Sequence, residues 1–266
     1  MSEKTAIQWT DHTFNIAWGC TKFSPGCEFC YAEKDAHRHG FDVWGPRTER
    51  RLFGKKHWDE PLAWNKAAQK EGVPRKVFTS SMADVYEHHA QIDSLRDLRL
   101  WPLIRATPWL EWQILTKRAE RMARLWPEDA PPNAWAGVSV ESAQYLNRLD
   151  WLRKVKARVR FVSFEPLLTS VRAADLTDIH WAIFGGESGP HARVCDVDWI
   201  AEGVDVCRRF NVAPFVKQFG AHIRWGKNGG DSGSAMESRA AGGISHPKGG
   251  DILEWPMDLR VREFPR

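Results

Sequence analysis

Six times along this chain a short apolar run gives way to a polar or charged cluster: "TSSMADVY" (79–86), "LTKRAERM" (115–122), "GVSVES" (137–142), "VSFEPLL" (162–168), "FGGESG" (184–189) and "VKQFG" (216–220). Short apolar or β-branched runs bounded by glycine or charge read as buried strands, here at 14–17, 76–79, 111–115, 134–140, 159–164, 180–184 and 214–216. Between most of them, apolar residues step at helical spacing. Ile92, Leu95, Leu98 and Leu103 do so in 92–105, Leu146, Leu149 and Leu152 in 142–154, and 118–125 and 199–210 repeat the pattern. Strand and helix in alternation mean right-handed βα units on a parallel sheet. The expected fold is α/β, a partial (β/α) TIM-like barrel of about six to seven parallel strands. An open doubly wound sheet is the alternative, but no glycine fingerprint follows the first strand. In a barrel, strand-end clusters share one face, where loops from different strands build a site.

Residues 1–225 are expected to carry the barrel, with a cysteine loop at 18–31 and an irregular insertion, a loop or small helical piece, at 40–75. Residues 226–250 contain eight glycines and few apolar residues, so a mobile loop is expected there. That loop and the tail, 226–266, are expected to pack on the same domain. No apolar run approaches the roughly eighteen residues of a membrane span. The first residues lack the basic-then-apolar order of a secretory leader, so the expected location is cytoplasmic, with no membrane partner. A formal charge of +4 permits an anionic partner without requiring one. Fifteen tryptophans against three tyrosines read first as packing, and second as a stacking platform for a flat ligand or for bases.

Three of the five cysteines, Cys20, Cys27 and Cys30, fall within eleven residues, separated by six and then two. In a reducing compartment such a cluster binds metal more often than it forms disulfides. Three thiolates leave a tetrahedral shell one ligand short. With His37 or His39 as the fourth ligand, the site is structural Cys3His zinc. Without a fourth protein ligand, the thiolates hold three irons of a [4Fe-4S] cluster and leave one iron open to a small molecule. The triad follows the first expected strand, and no second Cys-x-x-Cys appears, which favours the cluster. Cys195 and Cys207 read as small buried apolar residues.

The triad resembles the signature of the radical S-adenosylmethionine superfamily, with the aromatic Phe29 just before the last cysteine. The superfamily's usual spacing is three residues and then two, and this chain's six and two depart from it. "SMADVY", "LTKRAERM", "GVSVE", "SFEPLL", "GGESG" and "KQFG" also resemble, in order, a phage-associated group of three-cysteine proteins, over about residues 10–220. The resemblance implies a [4Fe-4S] cluster and S-adenosyl-L-methionine as cofactors and a one-electron donor such as flavodoxin or ferredoxin. It also implies reductive cleavage of the cosubstrate to start hydrogen abstraction from a substrate.

Carried onto this chain, the resemblance gives the loop after the second strand, with Ser80, Ser81 and Asp84, to the cosubstrate's amino group. Gly185, Gly186 and Glu187 look like the superfamily's Gly-Gly-Glu but follow the sixth strand. They are expected instead to bring backbone to the adenine edge, with Glu187 facing the site. Lys117 and Arg118 offer cations for a carboxylate or phosphate, Ser139 and Glu141 suit ribose hydroxyls, and Glu165 suits ribose or substrate. For each, an ordinary strand-end salt bridge or helix cap is the plainer reading. Arg47, Arg50, Arg51, Lys55 and Lys56 interleave with Trp44, Phe53 and Trp58, a pattern that suits a nucleic acid or nucleotide substrate. Two rivals complete the set: a zinc-stapled nucleic-acid-binding protein without catalysis, and a metal-independent barrel hydrolase using Glu165 and Glu187 as a carboxylate pair.

Overall fold

The computed structural model describes residues 5–225 and 244–265. Its strands are β1 (His12–Thr13), β2 (Arg75–Thr79), β3 (Leu110–Thr116), β4 (Ala134–Ser139), β5 (Arg160–Phe164), β6 (Trp181–Gly185), β7 (Cys195–Asp196), β8 (Ala213–Gln218) and β9 (Ile223–Arg224). Seven of them form one parallel sheet in the order β1-β2-β3-β4-β5-β6-β8, and β7 pairs with β9. The helices are α1 (Tyr31–Arg38), α2 (Lys55–Glu71), α3 (Ala90–Leu95), α4 (Trp101–Ala106), α5 (Ala119–Leu125), α6 (Arg148–Arg153) and α7 (Val197–Phe210). This is the expected α/β architecture, a partial TIM-like barrel. Two compact units divide the chain: Met1–Gly137 with Lys154–Arg158, and Val138–Arg153 with Val159–Arg266.

In the first unit the expected strand at 14–17 proves to be two residues long and earlier, with His12 opposite Val77 and Thr13 opposite Phe78. Residues 14–17 are fully buried, which is what the apolar run reports, but the backbone pairing with β2 ends at the Phe14 N–H. The Ile16 N–H reaches Ser80 Oγ at 3.4 Å, so the ladder stops while the burial continues. Phe14 is the centre of this core. The His57 ring stacks on it at 4.5 Å, and Trp58 and Trp112 meet it edge-on. His57, Trp58, Pro61, Trp64 and Ala68 form the buried stripe of α2, which runs through the second half of the expected irregular insertion. Gly72 ends α2 in the left-handed region, φ 70°, donating its N–H to Ala68 O and Gln69 O. The expected helix 92–105 is a single helical run through α3 and α4 with a wide π turn at Arg96–Leu100. Pro102, which has no N–H to give back to the preceding turn, follows that π turn.

In the second unit, α7 is capped by Asp196, whose carboxylate accepts from the Asp198 N–H, and is stopped by Asn211 at φ 55°. Cys195 and Cys207 are buried as expected, and burial pushes both thiols up to about 12. Among the described residues nine tryptophans are buried and none is fully exposed, so the indoles serve packing first. Most of the glycine-rich segment, 226–243, lies outside the described residues. Beyond it, Arg262 forms an antiparallel bridge with Phe215. No helix among the described residues is long and apolar enough to cross a membrane.

Where α7 crosses β6 there is no room for a side chain: a Cβ on Gly203 would lie 2.3 Å from Cε1 of the fully buried Phe184. Gly203→Ala is expected to lower stability by about 1–3 kcal/mol, because overpacking a rigid ring outweighs a helix-propensity gain of about 1 kcal/mol. The urea unfolding midpoint reads the balance, and a rise would show that the helix-propensity term wins.

Candidate metal centre

The cysteine loop leaves β1 through Gly19, which sits at φ 119° and has the Val43 carbonyl oxygen 2.3 Å from where a Cβ would stand. No L side chain fits there, so the approach of 18–20 to 43–45 depends on this glycine. The Gly19 N–H binds Met82 O at 2.9 Å, tying the loop to the segment after β2. Cys27 closes a 3-10 turn at Pro25–Cys27, and Cys30 is the residue before α1. All three thiols are free and partly accessible. Burial first, then the nearby Asp84 carboxylate, pushes Cys20 up to about 12, and Arg118 opposes the rise. Burial also raises Cys30, against the pull of the Glu33 and Ala32 N–H groups and the Lys117 charge.

Asp84 organises this end of the first unit. Its Oδ1 accepts from the Tyr86 N–H at 2.9 Å and from Thr116 Oγ1 at 2.6 Å. Its Oδ2 accepts from the Lys117 N–H at 3.3 Å and from Arg118 Nη1 at 2.8 Å. Expected to receive a ligand's ammonium, this carboxylate instead spends four acceptor positions on protein donors. Arg118, expected to offer its charge outward, is buried as well. Its Nη2 donates to Thr21 O at 2.7 Å, its Nη1 lies 3.9 Å from Cys20 Sγ, and its guanidinium rests 4.9 Å from the centre of the Phe23 ring. Ser80 and Ser81 are also drawn inward. Ser80 Oγ accepts from Ile16, while Ser81 Oγ pairs with the Asn15 side chain, whose Oδ1 accepts from the Met82 N–H at 2.7 Å. Lys117 remains partly accessible, and Phe29 has Lys34 Nζ 5.5 Å from its centre.

A second buried pair, which the sequence reading missed, fastens the same loop. Arg50 and Glu87, with side chains 0% and 1% exposed, meet through Nε and Nη2 at 3.0 and 2.8 Å. The same guanidinium also donates to Val43 O, Gly45 O and Thr21 Oγ1. Arg50 belongs to the basic run read as a nucleic-acid contact; Arg50 and Arg51 are used inside the fold, while Arg47, Lys55 and Lys56 are exposed. Arg51 lies over three rings, Trp18, Phe41 and Phe53, at 4.5–5.0 Å; Trp58 is buried; Lys55 pairs with Asp59.

Among the described residues, no three His, Cys, Asp or Glu side chains gather into a ready metal shell. The donor chemistry around the loop, three soft thiols beside cations, fits an iron–sulfur group. His37 Nε2 lies 3.5 Å from Asp42 Oδ1, and His39 Nδ1 is 2.8 Å from Asp35 O, both at the exposed end of α1. Cations accompany the three thiols: Arg118 at Cys20, Lys117 acting on Cys30, and Lys22 acting on Cys27 and Cys30. Fixed positive charge offsets the negative charge that thiolate-held clusters carry.

In the second unit the strand-end carboxylates are paired. Glu141, fully buried, accepts from Arg148 Nη1 at 2.6 Å, and the same Nη1 donates to Ser139 O at 2.7 Å. Glu187 takes the Arg193 backbone N–H, Nε and Nη2 at 2.7–2.9 Å. Glu165 and Lys217, 2.5 Å apart and 22% and 19% exposed, remain part-accessible. The carboxyl of Glu165 lies over Gly185, where a Cβ would stand 3.2 Å from its carbon. Gly186 lacks a side chain because the Phe219 carbonyl oxygen would be 2.1 Å from its Cβ. Packing alone therefore calls for a glycine at 186 and leaves little room at 185. Glu165 and Glu187 each sit beside a cation of their own.

A family model described as "Protein of unknown function (DUF5131)" matches residues 4–246. No curated protein matches the chain. Among solved structures, the chain is similar to a single mutant of spore photoproduct lyase, at 14% identity and TM-score 0.48, over 74% of this chain and 59% of that one. It is similar also to a double mutant of the same lyase with bound AdoMet and dinucleoside spore photoproduct, at 15% and 0.46, over 66% and 55%. The chain spans less than two thirds of the length of these lyases.

Replacing Glu87 with Gln leaves the Arg50 charge buried without its partner. Glu87→Gln is expected to cost about 3–5 kcal/mol in urea unfolding, and a loss below about 1 kcal/mol would place the pair with exposed ones.

Proposed function

We propose that this chain, which belongs to the DUF5131 family, is a radical S-adenosylmethionine enzyme whose [4Fe-4S] cluster is held by Cys20, Cys27 and Cys30. The observation that carries the reading is the loop itself: three free thiols within eleven residues soon after β1, with cations beside them. Bound there, the group supplies one-electron cleavage of S-adenosylmethionine, fed by an external donor of flavodoxin or ferredoxin type.

The chain's own residues prepare that chemistry in three ways. Gly19 and the Arg50–Glu87 pair fix the path of the loop, so the thiols are displayed from a rigid base. The α1 backbone N–H groups after Cys30, with Lys117, oppose the rise that burial imposes on its thiol. Ser80 and Ser81, turned toward Ile16 and Asn15, hold the segment after β2 close to the loop. In the second unit we give the polar contacts of a ligand to Glu165 and Lys217, because Glu141 and Glu187 are already satisfied by arginines. Hydrogen abstraction from a substrate C–H bond is the reaction class.

Protein purified and reconstituted without oxygen is expected to carry about four irons and four sulfides per chain, lost together in a Cys20/Cys27/Cys30→Ala triple variant. With dithionite and S-adenosylmethionine it should release 5′-deoxyadenosine. One zinc and no iron after the same reconstitution would end this reading and favour a zinc-stapled binding protein.

A further inference from the structure

We infer that Arg118 is the positioning residue for the first thiol: it holds Cys20 in place and sets how readily a cluster on that thiol accepts an electron. The inference rests on the cluster reading above and goes beyond it by naming the side chain that tunes the group.

Geometry singles out this guanidinium. Arg118 directly follows β3 and Lys117, and its backbone N–H binds Thr116 Oγ1 at 2.9 Å, which fixes the start of the side chain. Asp84 then holds one arm of the fork, the Thr21 carbonyl holds the other, and Phe23 covers the face. The arm bound to Asp84 is also the one 3.9 Å from Cys20 Sγ. A cation restrained at three points cannot swing to solvent and keeps its charge at the sulfur. Lys22 differs: it is 49% exposed and answers to Glu33 at 2.8 Å.

An N–H directed at a ligand sulfur withdraws electron density from it, and a fixed positive charge favours the more reduced state. Both effects raise a cluster's reduction potential. Asp84 would cancel much of this if it faced Arg118 alone. It does not, because Tyr86, Thr116 and Lys117 donate to the same carboxylate and disperse its charge. Asp84 still acts on Cys20 against the arginine, so what Arg118 adds at the sulfur is the directed N–H and a charge that offsets part of the carboxylate's.

A purely structural role for Arg118 would change stability or iron uptake but not the potential of protein that carries its full iron. The experiment compares wild type with Arg118→Met, Arg118→Lys and Asp84→Asn, each reconstituted anaerobically. Iron per chain is measured, and the midpoint follows from an electron-paramagnetic-resonance redox titration. At equal iron content Arg118→Met is expected to shift the midpoint downward, making the reduced form about tenfold scarcer at a given poise, about 59 mV for a one-electron couple. Arg118→Lys should shift it less, since the charge stays while the fork is lost. Should Arg118→Met fail to fold or load, the other two variants decide: downward for Arg118→Lys, upward for Asp84→Asn. An iron-replete Arg118→Met at the wild-type midpoint overturns the inference, as do Arg118→Lys and Asp84→Asn both at that midpoint. A wild-type chain that takes up no iron overturns the cluster reading itself and this inference with it.

Discussion

The carboxylate of Asp84 is the fixed point of the first unit. It gathers the Tyr86 N–H from its own loop and, from the end of β3 and beyond, Thr116, the Lys117 N–H and Arg118. Through Arg118 the connection reaches Thr21 and Cys20, so one buried anion relates the end of β2, the end of β3 and the cysteine loop. A buried carboxylate with fewer donors would be costly to desolvate. With four it becomes a junction whose geometry is dictated by its lone pairs. Arg50–Glu87 repeats the device with the charges reversed in role: there the arginine is the hub and the carbonyls of Val43 and Gly45 are the spokes.

Much of the architecture was legible because parallel strands covered on both faces read as unbroken apolar runs. The runs at 76–79, 134–140 and 159–164 sit within a residue or so of β2, β4 and β5. The first strand was misread because burial at Phe14–Ala17 and backbone pairing at His12–Thr13 are separate properties, and periodicity reports only burial. Helix α2 was read as irregular because Pro61, three charged residues in its first turn and a half, and two tryptophans blur its apolar stripe.

Among the candidate site residues, the three cysteines were visible as a cluster, and Asp84, Glu141, Glu165 and Glu187 were visible as charged strand ends. What each charge does was not legible, because the answer lies mostly in partners distant along the chain. Arg118 is 34 residues from Asp84, Arg50 is 37 from Glu87, and Lys217 is 52 from Glu165. Spacing rules cover a helix turn or a hairpin, and none reaches that far. Within the basic run the roles of Arg50 and Arg51 were hidden for the same reason, since the counter-ion of one and the aromatic covers of the other are supplied by the fold.

The seat of Arg51 has a consequence of its own. Its guanidinium is matched by the faces of Trp18, Phe41 and Phe53, while its backbone pairs with Trp18. Attraction between a cation and a ring face acts over a few ångströms, and dissolved ions screen such a half-buried contact less than they screen separated surface charges. The strap running beside the cysteine loop is thus held by contacts that dissolved electrolyte barely weakens. The anchorage of the thiols can stay the same in dilute buffer, in a crowded salt solution, or against a densely charged surface.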